Sequence, residues 1–437
     1  MERTTAEHPV TATPPLATGV AWDAEAPGHH RFSVDRYTSQ AIADRELDRL
    51  WPRVWQIACS VDHVAEPGDW FEHRCGPLSV LIVRGDDGEL RAFQNVCRHR
   101  GNLLCTGAGA GLGEIRCGFH HWSWTLAGEL REVPSRRGFG ALRNEDLPLI
   151  PARVGTWGPL VFVNLDADAN PLDAWLEGVP ADLAWADIDE FRCGVTTTTP
   201  VSCNWKVVAE GFSETYHVQG LHPEMIVSFD DVHAAQHLWD RHAVSYQLYG
   251  VASPRLGAVP EADVWDSFCR TQGRRLGLAP DDTVPMPAEP PDATAFELLV
   301  AAIRAEAGRR GVDLARFDDD QIMRLRQYNL FPNATVLVSA DSFNVLVAKP
   351  STVVDRAELF TLHFDRRPPG AHGAKRHPTD VVNGLDAERL GLVFNQDVRA
   401  MARLQRGLGQ PGFTHTIVSS EERRIVNTHR VLATYLD

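Results

Sequence analysis

The most chemically distinctive stretch of this sequence combines two acids and two histidines: Glu210, Glu214, His217 and His222. The first three are spaced four and three residues apart, so on a helix their side chains would share one face. His222 lies five residues beyond His217, which on a helix of about 3.6 residues per turn is roughly 140° further round. Both imidazoles can therefore reach one metal ion only if the helix unwinds between them, and a nearby glycine and proline favour such a break.

Two histidines need a third ligand from elsewhere in the chain. Two histidines and one carboxylate, with coordination positions left open, form the arrangement that iron(II) oxygenases use. On its own the stretch is also compatible with a structural role, in which helical histidines hydrogen-bond to neighbouring acids. A second motif is needed to decide between the two roles.

That second motif lies earlier in the chain, where Cys97 and His99 are followed by Cys117 and His120. Thiolates suit one iron of a two-iron cluster, and histidines that replace them on the other iron raise its reduction potential. Zinc is the alternative for a Cys2His2 set, but a zinc finger has a Cys–Cys pair followed by a His–His pair. Because each pair here mixes the two residue types, the motif favours an iron–sulfur cluster.

Both motifs resemble those of one protein family, the Rieske non-heme iron oxygenases. These proteins are the large (alpha) subunits of aromatic-ring-hydroxylating dioxygenases and of related monooxygenases and demethylases. The cluster motif is Cys97-Arg-His99-Arg-Gly101 with Cys117-x-x-His120-x-Trp122. The mononuclear iron motif is Asn204-Trp-Lys206 followed by Glu210-x3-Glu214-x2-His217-x4-His222-Pro223.

The resemblance implies which residues hold the two metal centres. The [2Fe–2S] cluster would be bound by Cys97, His99, Cys117 and His120. The mononuclear Fe²⁺ would be bound by His217, His222 and Asp397, a downstream acid in a family-like sequence of acid, then Gln-x-Gly-Leu. The alternative for Asp397 is a solvated acid on the surface of a helix.

The resemblance also implies two catalytic side chains. Glu214 would link the iron site by hydrogen bonds to a cluster histidine of a neighbouring subunit, although the family more often has Asp here. Glu210 would orient a ligand histidine. The chain departs from the family at Gly118-Phe119, where Pro-Tyr is usual, and at His121, where a small residue is usual; we expect His121 to be an exposed loop residue.

These features predict a terminal oxygenase that uses O2 and electrons from NAD(P)H, delivered by a separate reductase or ferredoxin. Its reaction would be dihydroxylation or monohydroxylation of an apolar, aromatic or cyclic substrate, with oxidative N- or O-demethylation as the alternative. Two other classes stay open: a cluster-only protein for electron transfer or redox sensing, and a non-catalytic binder of apolar ligands. The resemblance further implies a homotrimer, with or without a small beta subunit.

Composition narrows the class of protein. The chain has 437 residues, of which 43% are hydrophobic and 23% charged, as in ordinary soluble globular proteins. The formal net charge of −15 argues against nucleic-acid binding, and no stretch is apolar enough to span a membrane. Eight cysteines without a secretory signal predict reduced thiols and a cytoplasmic location.

We predict an α+β fold with a small all-β Rieske domain and a larger catalytic domain. In the catalytic domain, helices would cover a curved antiparallel sheet, in the helix-grip or START-like manner. The predicted boundaries are a flexible lead at 1–33, a helix at 34–54 that packs on the catalytic domain, the Rieske domain at 55–165 and the catalytic domain at 166–437, with an insertion at about 250–328.

Local patterns give finer expectations. Phe191–Val201 is predicted to be a strand, the proline-rich segment 252–292 irregular, and Asp318–Tyr328 a helix. The helix that carries Asp397 is expected to be the last in the chain. Three histidines have near-helical spacing, and we interpret their segment as a mobile loop over the substrate entrance rather than a second metal site; they are His233, His237 and His242.

Overall fold

The computed structural model describes residues 28–279, 282–368 and 377–436. The α-helices are α1 (Asp35–Thr38), α2 (Gln40–Arg49), α3 (Leu172–Leu176), α4 (Val179–Asp182), α5 (Trp205–Gly211), α6 (Val218–Leu221), α7 (Glu261–Gln272), α8 (Ala295–Arg309), α9 (Asp319–Met323), α10 (Leu392–Leu408) and α11 (Arg423–Leu436). None of these helices is long and apolar enough to cross a lipid bilayer.

The strands are β1 (His29–Ser33), β2 (Gln56–Ser60), β3 (Trp70–Cys75), β4 (Leu78–Arg84), β5 (Leu90–Gln94), β6 (Ala108–Gly109), β7 (Ile115–Arg116), β8 (Ser123–Trp124), β9 (Leu130–Glu132), β10 (Pro151–Trp157) and β11 (Leu160–Asn164). They continue with β12 (Phe191–Val201), β13 (Phe229–Leu238), β14 (Ala243–Tyr249), β15 (Arg324–Leu330), β16 (Ala334–Val338), β17 (Ser342–Pro350), β18 (Ala357–Arg366), β19 (Thr379–Val382) and β20 (His415–Ser419).

The smaller domain contains a seven-stranded sheet of order β2-β11-β10-β5-β4-β3-β6 and a three-stranded sheet of order β7-β8-β9 in the described residues. Its interior strand β4 is apolar on both faces because it separates two cores. Leu81 and Val83 belong to the core beneath the Cys–His loops, whereas Val80 and Ile82 belong to a core that continues into the rest of the chain. This alternation follows from the two-residue period of a strand.

The larger domain is built on a curved sheet of order β13-β14-β15-β16-β17-β18-β12-β19. Its neighbouring strands are antiparallel except for β12 and β19, which are parallel. Helix α5 ends against this sheet, where the carbonyl of Phe212 accepts hydrogen bonds from the side chains of Gln327, Asn329 and Thr335. These side chains satisfy a carbonyl that the end of a helix leaves without an intrahelical donor, and they fix α5 on the sheet.

Both ends of the described chain pack on the larger domain. The predicted helix at 34–54 is present as α1 and α2 and ends before Pro52. Residues 1–27 of the predicted lead lie outside the described residues, and β1, near the end of this lead, pairs with β20. Helix α2 is tied to α5 by an ion pair of 2.6 Å between Glu46 and Lys206, whose side chains are each 2% exposed.

Three local expectations were wrong. The segment 252–292 contains helix α7, which buries Val264, Trp265 and Phe268. Only α9 of the predicted Asp318–Tyr328 helix is helical, because the following residues pair with both β14 and β16 in the sheet. Helix α10 is not the last helix, since α11 follows it.

The three histidines after Asp230 were also misassigned to a mobile loop: His233 and His237 lie on strand β13, and His242 lies in the turn between β13 and β14. His233 is exposed and pairs with Asp230, whereas His242 is buried. His242 donates from Nε2 to the carbonyl of Trp175 and accepts at Nδ1 from the N–H of Phe331. Burial lowers the pKa of His242 to about 3, so it is a neutral structural histidine.

Candidate active site

Two tight turns present the Cys–His pairs of the smaller domain. In the first, Cys97 N–H donates to the carbonyl of Asn102, and Gly101 N–H donates back to that of Cys97. Gly101 has a φ of +81°, which a residue with a Cβ rarely adopts. In the second, Cys117 N–H donates to the carbonyl of Trp122. The backbone of each loop therefore positions its own thiol and histidine.

The four side chains of these turns face one another. Both thiols are buried, and the rings of His99 and His120 lie 4.7 Å apart between centroids. The His99 ring stacks on Trp122 at 4.9 Å and 5°, which fixes its plane. His99 Nδ1 is buried and has no hydrogen-bond partner, an arrangement that suits a metal ligand because a buried polar atom otherwise requires a partner.

The donor set fits a two-iron cluster better than a single zinc ion. Zinc ligands converge on one ion at about 2.0–2.3 Å, so their donor atoms must lie close to one another. Among the described residues, the only group of three or more donors that converges in this way is His217, His222 and Asp397. The Cys–His donors form no such group, so they are spaced for a cofactor larger than a single metal ion.

The second turn also favours the deprotonated, thiolate form of Cys117. Burial raises the pKa of the Cys117 thiol, but hydrogen bonds from the backbone N–H groups of Phe119 and His120 and from the side chains of Cys97 and Asn102 together outweigh this effect, and the pKa lies below its ordinary value. The neighbouring His121 has a φ of +61° and an exposed side chain. This left-handed conformation explains why a small residue suits the position.

The iron-motif stretch folds differently from its predicted geometry. Helix α5 ends at Gly211, before Glu214, so the predicted continuous face of acids and His217 does not form. The predicted break between the histidines is also wrong: His217 immediately precedes the single turn α6, and His222 ends it. The chain leaves the helix at His222 because the following proline disfavours helical geometry in the residue before it.

Helix α10 carries Asp397 to these histidines from a distant part of the chain. One donor atom from each of His217, His222 and Asp397 lies within 4.8 Å of the others. Asp397 Oδ1 lies 3.1 Å from His222 Nε2 and 3.8 Å from His217 Nε2. This compact set of two imidazoles and one carboxylate fits a single Fe²⁺ with open positions.

Glu214 supports His217 from the side opposite to Asp397. Its carboxylate lies 2.6 Å from His217 Nδ1 and accepts a second bond from the His217 N–H at 2.9 Å. A carboxylate on the outer nitrogen of a ligand histidine fixes its tautomer and leaves the other nitrogen free for metal. The sequence alone indicated that the Glu214 carboxylate belongs to the iron site, but not that it contacts both the ring and the backbone N–H of His217.

Glu210 was expected to orient a ligand histidine, but its hydrogen bonds in the described residues go elsewhere. Its carboxylate accepts from Tyr37 Oη at 3.0 Å and from His429 Nε2 at 2.9 Å. Arg36 contacts His429 Nδ1 at 3.0 Å, and since arginine can only donate, Nδ1 must be the acceptor. His429 is therefore neutral and donates from Nε2, so Glu210 joins α5 to both ends of the described chain.

Sequence reasoning missed Tyr37, His429 and a third residue, Arg424. Arg424 is 1% exposed and donates to Asn329 Oδ1 and Gln327 Oε1 at 2.7 and 3.1 Å. Burial lowers its pKa to about 9, and the nearby charge of Glu214 opposes this shift. No short sequence motif identifies these residues, because their hydrogen-bond partners lie far away in sequence.

Comparisons with known proteins agree with these two sites. A family model described as ring hydroxylating alpha subunit (catalytic domain) matches residues 184–437, and a Rieske [2Fe-2S] domain model matches residues 54–149. The biphenyl 2,3-dioxygenase subunit alpha of Rhodococcus jostii is 35% identical over 41% of this chain and 41% of its own length. The glycine betaine monooxygenase oxygenase subunit of Pseudomonas aeruginosa is 29% identical over 46% and 48%. The chain thus spans less than half the length of these curated relatives.

Among solved structures, a quaternary ammonium Rieske monooxygenase in complex with L-carnitine has the same fold. It is 18% identical, with a TM-score of 0.66, and the match covers 93% of this chain and 95% of that one. The catalytic-domain model alone matches more than half of this chain, and it contains all three residues of the candidate iron site. The chain therefore belongs to the Rieske non-heme iron oxygenase alpha subunits, the ring-hydroxylating family whose cofactors are a [2Fe–2S] cluster and a mononuclear iron.

Proposed function

We propose that this chain is the terminal oxygenase component of a system in which a separate reductase or ferredoxin supplies electrons from NAD(P)H. The observation that carries this proposal is the convergence of His217, His222 and Asp397 in the same chain as the Cys–His loops. When bound, the cluster supplies single electrons and the mononuclear iron supplies O2 activation. A cluster-only carrier or a non-catalytic binder would have no use for the three-ligand set.

The residues around Asp397 make this site partly apolar. Phe394 and Met401 lie three residues before and four residues after Asp397 on α10, so they share its face. The ring of Phe394 lies 5.8 Å from that of Phe212, nearly perpendicular to it. Such a pair favours an aromatic or cyclic substrate, whose apolar surface is removed from water on binding.

Oxidation of a quaternary ammonium compound is a second candidate. Relatives named as glycine betaine and carnitine monooxygenase subunits favour it. The half-buried ring of Phe394 also suits this substrate class, because aromatic rings attract cations. The same three metal-binding residues are compatible with both candidates, so the substrate that reacts distinguishes them.

We propose that Glu214 links His217 to a cluster histidine of a second copy of the chain. In the described residues, Glu214 makes no hydrogen bond to His99 or His120 of its own chain. The edge of the cluster loops is exposed, with Phe119 at 59%. A cytoplasmic homotrimer in which each cluster serves the neighbouring iron site would satisfy both observations.

The test is O2 uptake by anaerobically reconstituted protein with a reductase, NAD(P)H and two substrate panels. One panel contains biphenyl-like and other cyclic hydrocarbons; the other contains betaine, carnitine and choline. We expect substrate-dependent O2 uptake and a hydroxylated or demethylated product from one panel. About three irons and two sulfides per chain, with no uptake and no product from either panel, would contradict the assigned substrate classes. Sulfide-free protein containing zinc would overturn the oxygenase proposal itself.

A further inference from the structure

Both ring nitrogens of His222 are contacted by two consecutive residues of α10. His222 Nε2 lies 3.1 Å from Asp397 Oδ1, and His222 Nδ1 lies 2.7 Å from Gln396 Oε1. Helix α10 therefore provides a proposed metal ligand and, from the preceding residue, a hydrogen-bond partner for a second ligand. The imidazole is held from both sides by one rigid element.

The orientation of the Gln396 amide is fixed by its other end. Gln396 Nε2 donates to Glu224 Oε2 at 3.1 Å, and a carboxylate can only accept this bond. The amide oxygen must then face His222, so His222 Nδ1 carries the proton and donates it. The lone pair of His222 is left on Nε2, the nitrogen that faces Asp397 and His217.

Glu224 is in turn anchored by the insertion. The carbonyl of Glu224 accepts a hydrogen bond of 2.5 Å from Ser267 Oγ on α7, and Ser267 also lies 2.8 Å from Ser228 Oγ. Ser267 and Ser228 are both buried. Because His222 and Glu224 are separated only by a proline, this contact also restrains the loop that carries the histidine.

The two ligand histidines are thus supported by different chemistry. Glu214 accepts directly from His217 with a carboxylate, whereas His222 meets a neutral amide whose far end contacts a carboxylate. A direct carboxylate makes an imidazole a stronger electron donor than an amide does. The amide mainly fixes the tautomer and the plane of the ring.

We propose that Gln396 is a positioning residue for His222, and that Glu224, held by the insertion helix α7, fixes the amide of Gln396 in the required orientation. This inference rests on the proposed role of His222 as an iron ligand. It gives the insertion a function in the iron site that does not depend on contact with substrate.

The test is the affinity of the mononuclear site for Fe²⁺ in the full chain, after chelation has emptied that site and left the cluster in place. Gln396→Met keeps the length and helix propensity of the side chain but removes the amide. We expect Fe²⁺ binding to weaken by about 10- to 100-fold, as when an outer partner of a ligand histidine is lost. Gln410→Met, an exposed site just beyond α10, is the matched control and should bind as the wild type does.

A second readout separates positioning from general damage. The absorption spectrum of Co²⁺ bound in place of iron reports ligand geometry, and it should change in Gln396→Met but not in Gln410→Met. The cluster absorption should be the same in both variants. Wild-type Fe²⁺ affinity and an unchanged Co²⁺ spectrum in Gln396→Met would overturn the proposal.

The role of Glu224 is tested by a double-mutant cycle. Glu224→Ala alone should weaken Fe²⁺ binding less than Gln396→Met, and it should add nothing to that variant, because both changes break one chain of contacts. Independent, multiplying losses would overturn the coupling. His222→Ala separates the two proposals: if it binds Fe²⁺ as the wild type does, the iron-site assignment has failed, whatever the result at Gln396.

Discussion

The two metal sites of this chain are built in opposite ways. The cluster donors come from two short turns between Cys97 and His120, and backbone hydrogen bonds within each turn position them. The iron donors come from two segments, with Asp397 lying 175 positions after His222, and they are supported by buried side chains from both ends of the described chain. The first site is local and has an exposed edge, whereas the second depends on the whole larger domain.

This difference indicates where each site is vulnerable. A local site keeps its geometry as long as its loops and the core beneath them are intact. A site assembled from distant segments depends on every contact that holds those segments together, such as the Glu210 network and the Glu46–Lys206 pair. The following predictions test this contrast, from the largest expected effect to the smallest.

Asp397→Ala should abolish the iron site and leave the cluster intact. Removal of one of three ligands should lower turnover by at least about 1,000-fold, because the remaining donors cannot retain the catalytic metal. Iron and sulfide analysis should show that one iron per chain is lost and that the sulfide content is unchanged. Loss of sulfide in this variant would contradict the independence of the two sites.

Glu214→Gln should leave both metal centres filled but lower turnover by about 100-fold, a loss in the range seen when an outer partner of a ligand is removed. The amide keeps the size of the side chain but loses the charge that Arg424 faces. Single-turnover reduction of the iron site by a pre-reduced cluster measures the effect directly. An unchanged rate of electron transfer would exclude Glu214 as the link.

Glu210→Ala should lower the free energy of unfolding more than it lowers iron affinity. It removes the acceptor shared by Tyr37 and His429 and should cost about 1–3 kcal/mol, the range for leaving buried polar partners unsatisfied. Denaturant unfolding and Fe²⁺ titration measure the two quantities. Tyr37→Phe, which removes one of the two donors, should cost less. A larger loss of iron affinity than of stability would restore the original expectation that Glu210 acts on a ligand.

The smallest effect concerns pH. Burial raises the pKa of Glu421, which lies near Arg255, Asp231 and Glu214, to about 7. An acid whose pKa is raised on folding binds its proton more tightly in the folded state, so stability falls as pH rises from about 4.3, the unfolded value, towards 7. Thermal unfolding should show a shallower decline in this range for Glu421→Gln. A decline equal to that of the wild type would assign the effect to other groups.

Much of the fold and most of the site residues could be predicted from the sequence. The strand Phe191–Val201 has the bounds expected for it, and the curved sheet with covering helices is present. Two of the wrong predictions share one cause. Asp318–Tyr328 and the segment around His233 have helix-like patterns, but pairing with neighbouring strands overrides such weak local preferences.

By itself, the sequence determined the donor types and the local geometry of the cluster loops, because spacing of one or two residues and a glycine at Gly101 leave the backbone little choice. It also marked His217 and His222 as candidate ligands. Only the tertiary structure decided which nitrogen of each histidine is free, and that the Glu210 carboxylate contacts Tyr37 and His429. The free nitrogens depend on the hydrogen bonds that His217 donates to Glu214 and His222 donates to Gln396, and on the approach of α10. A contact between residues far apart in the chain leaves no local pattern, since it is formed by the packing of the whole domain.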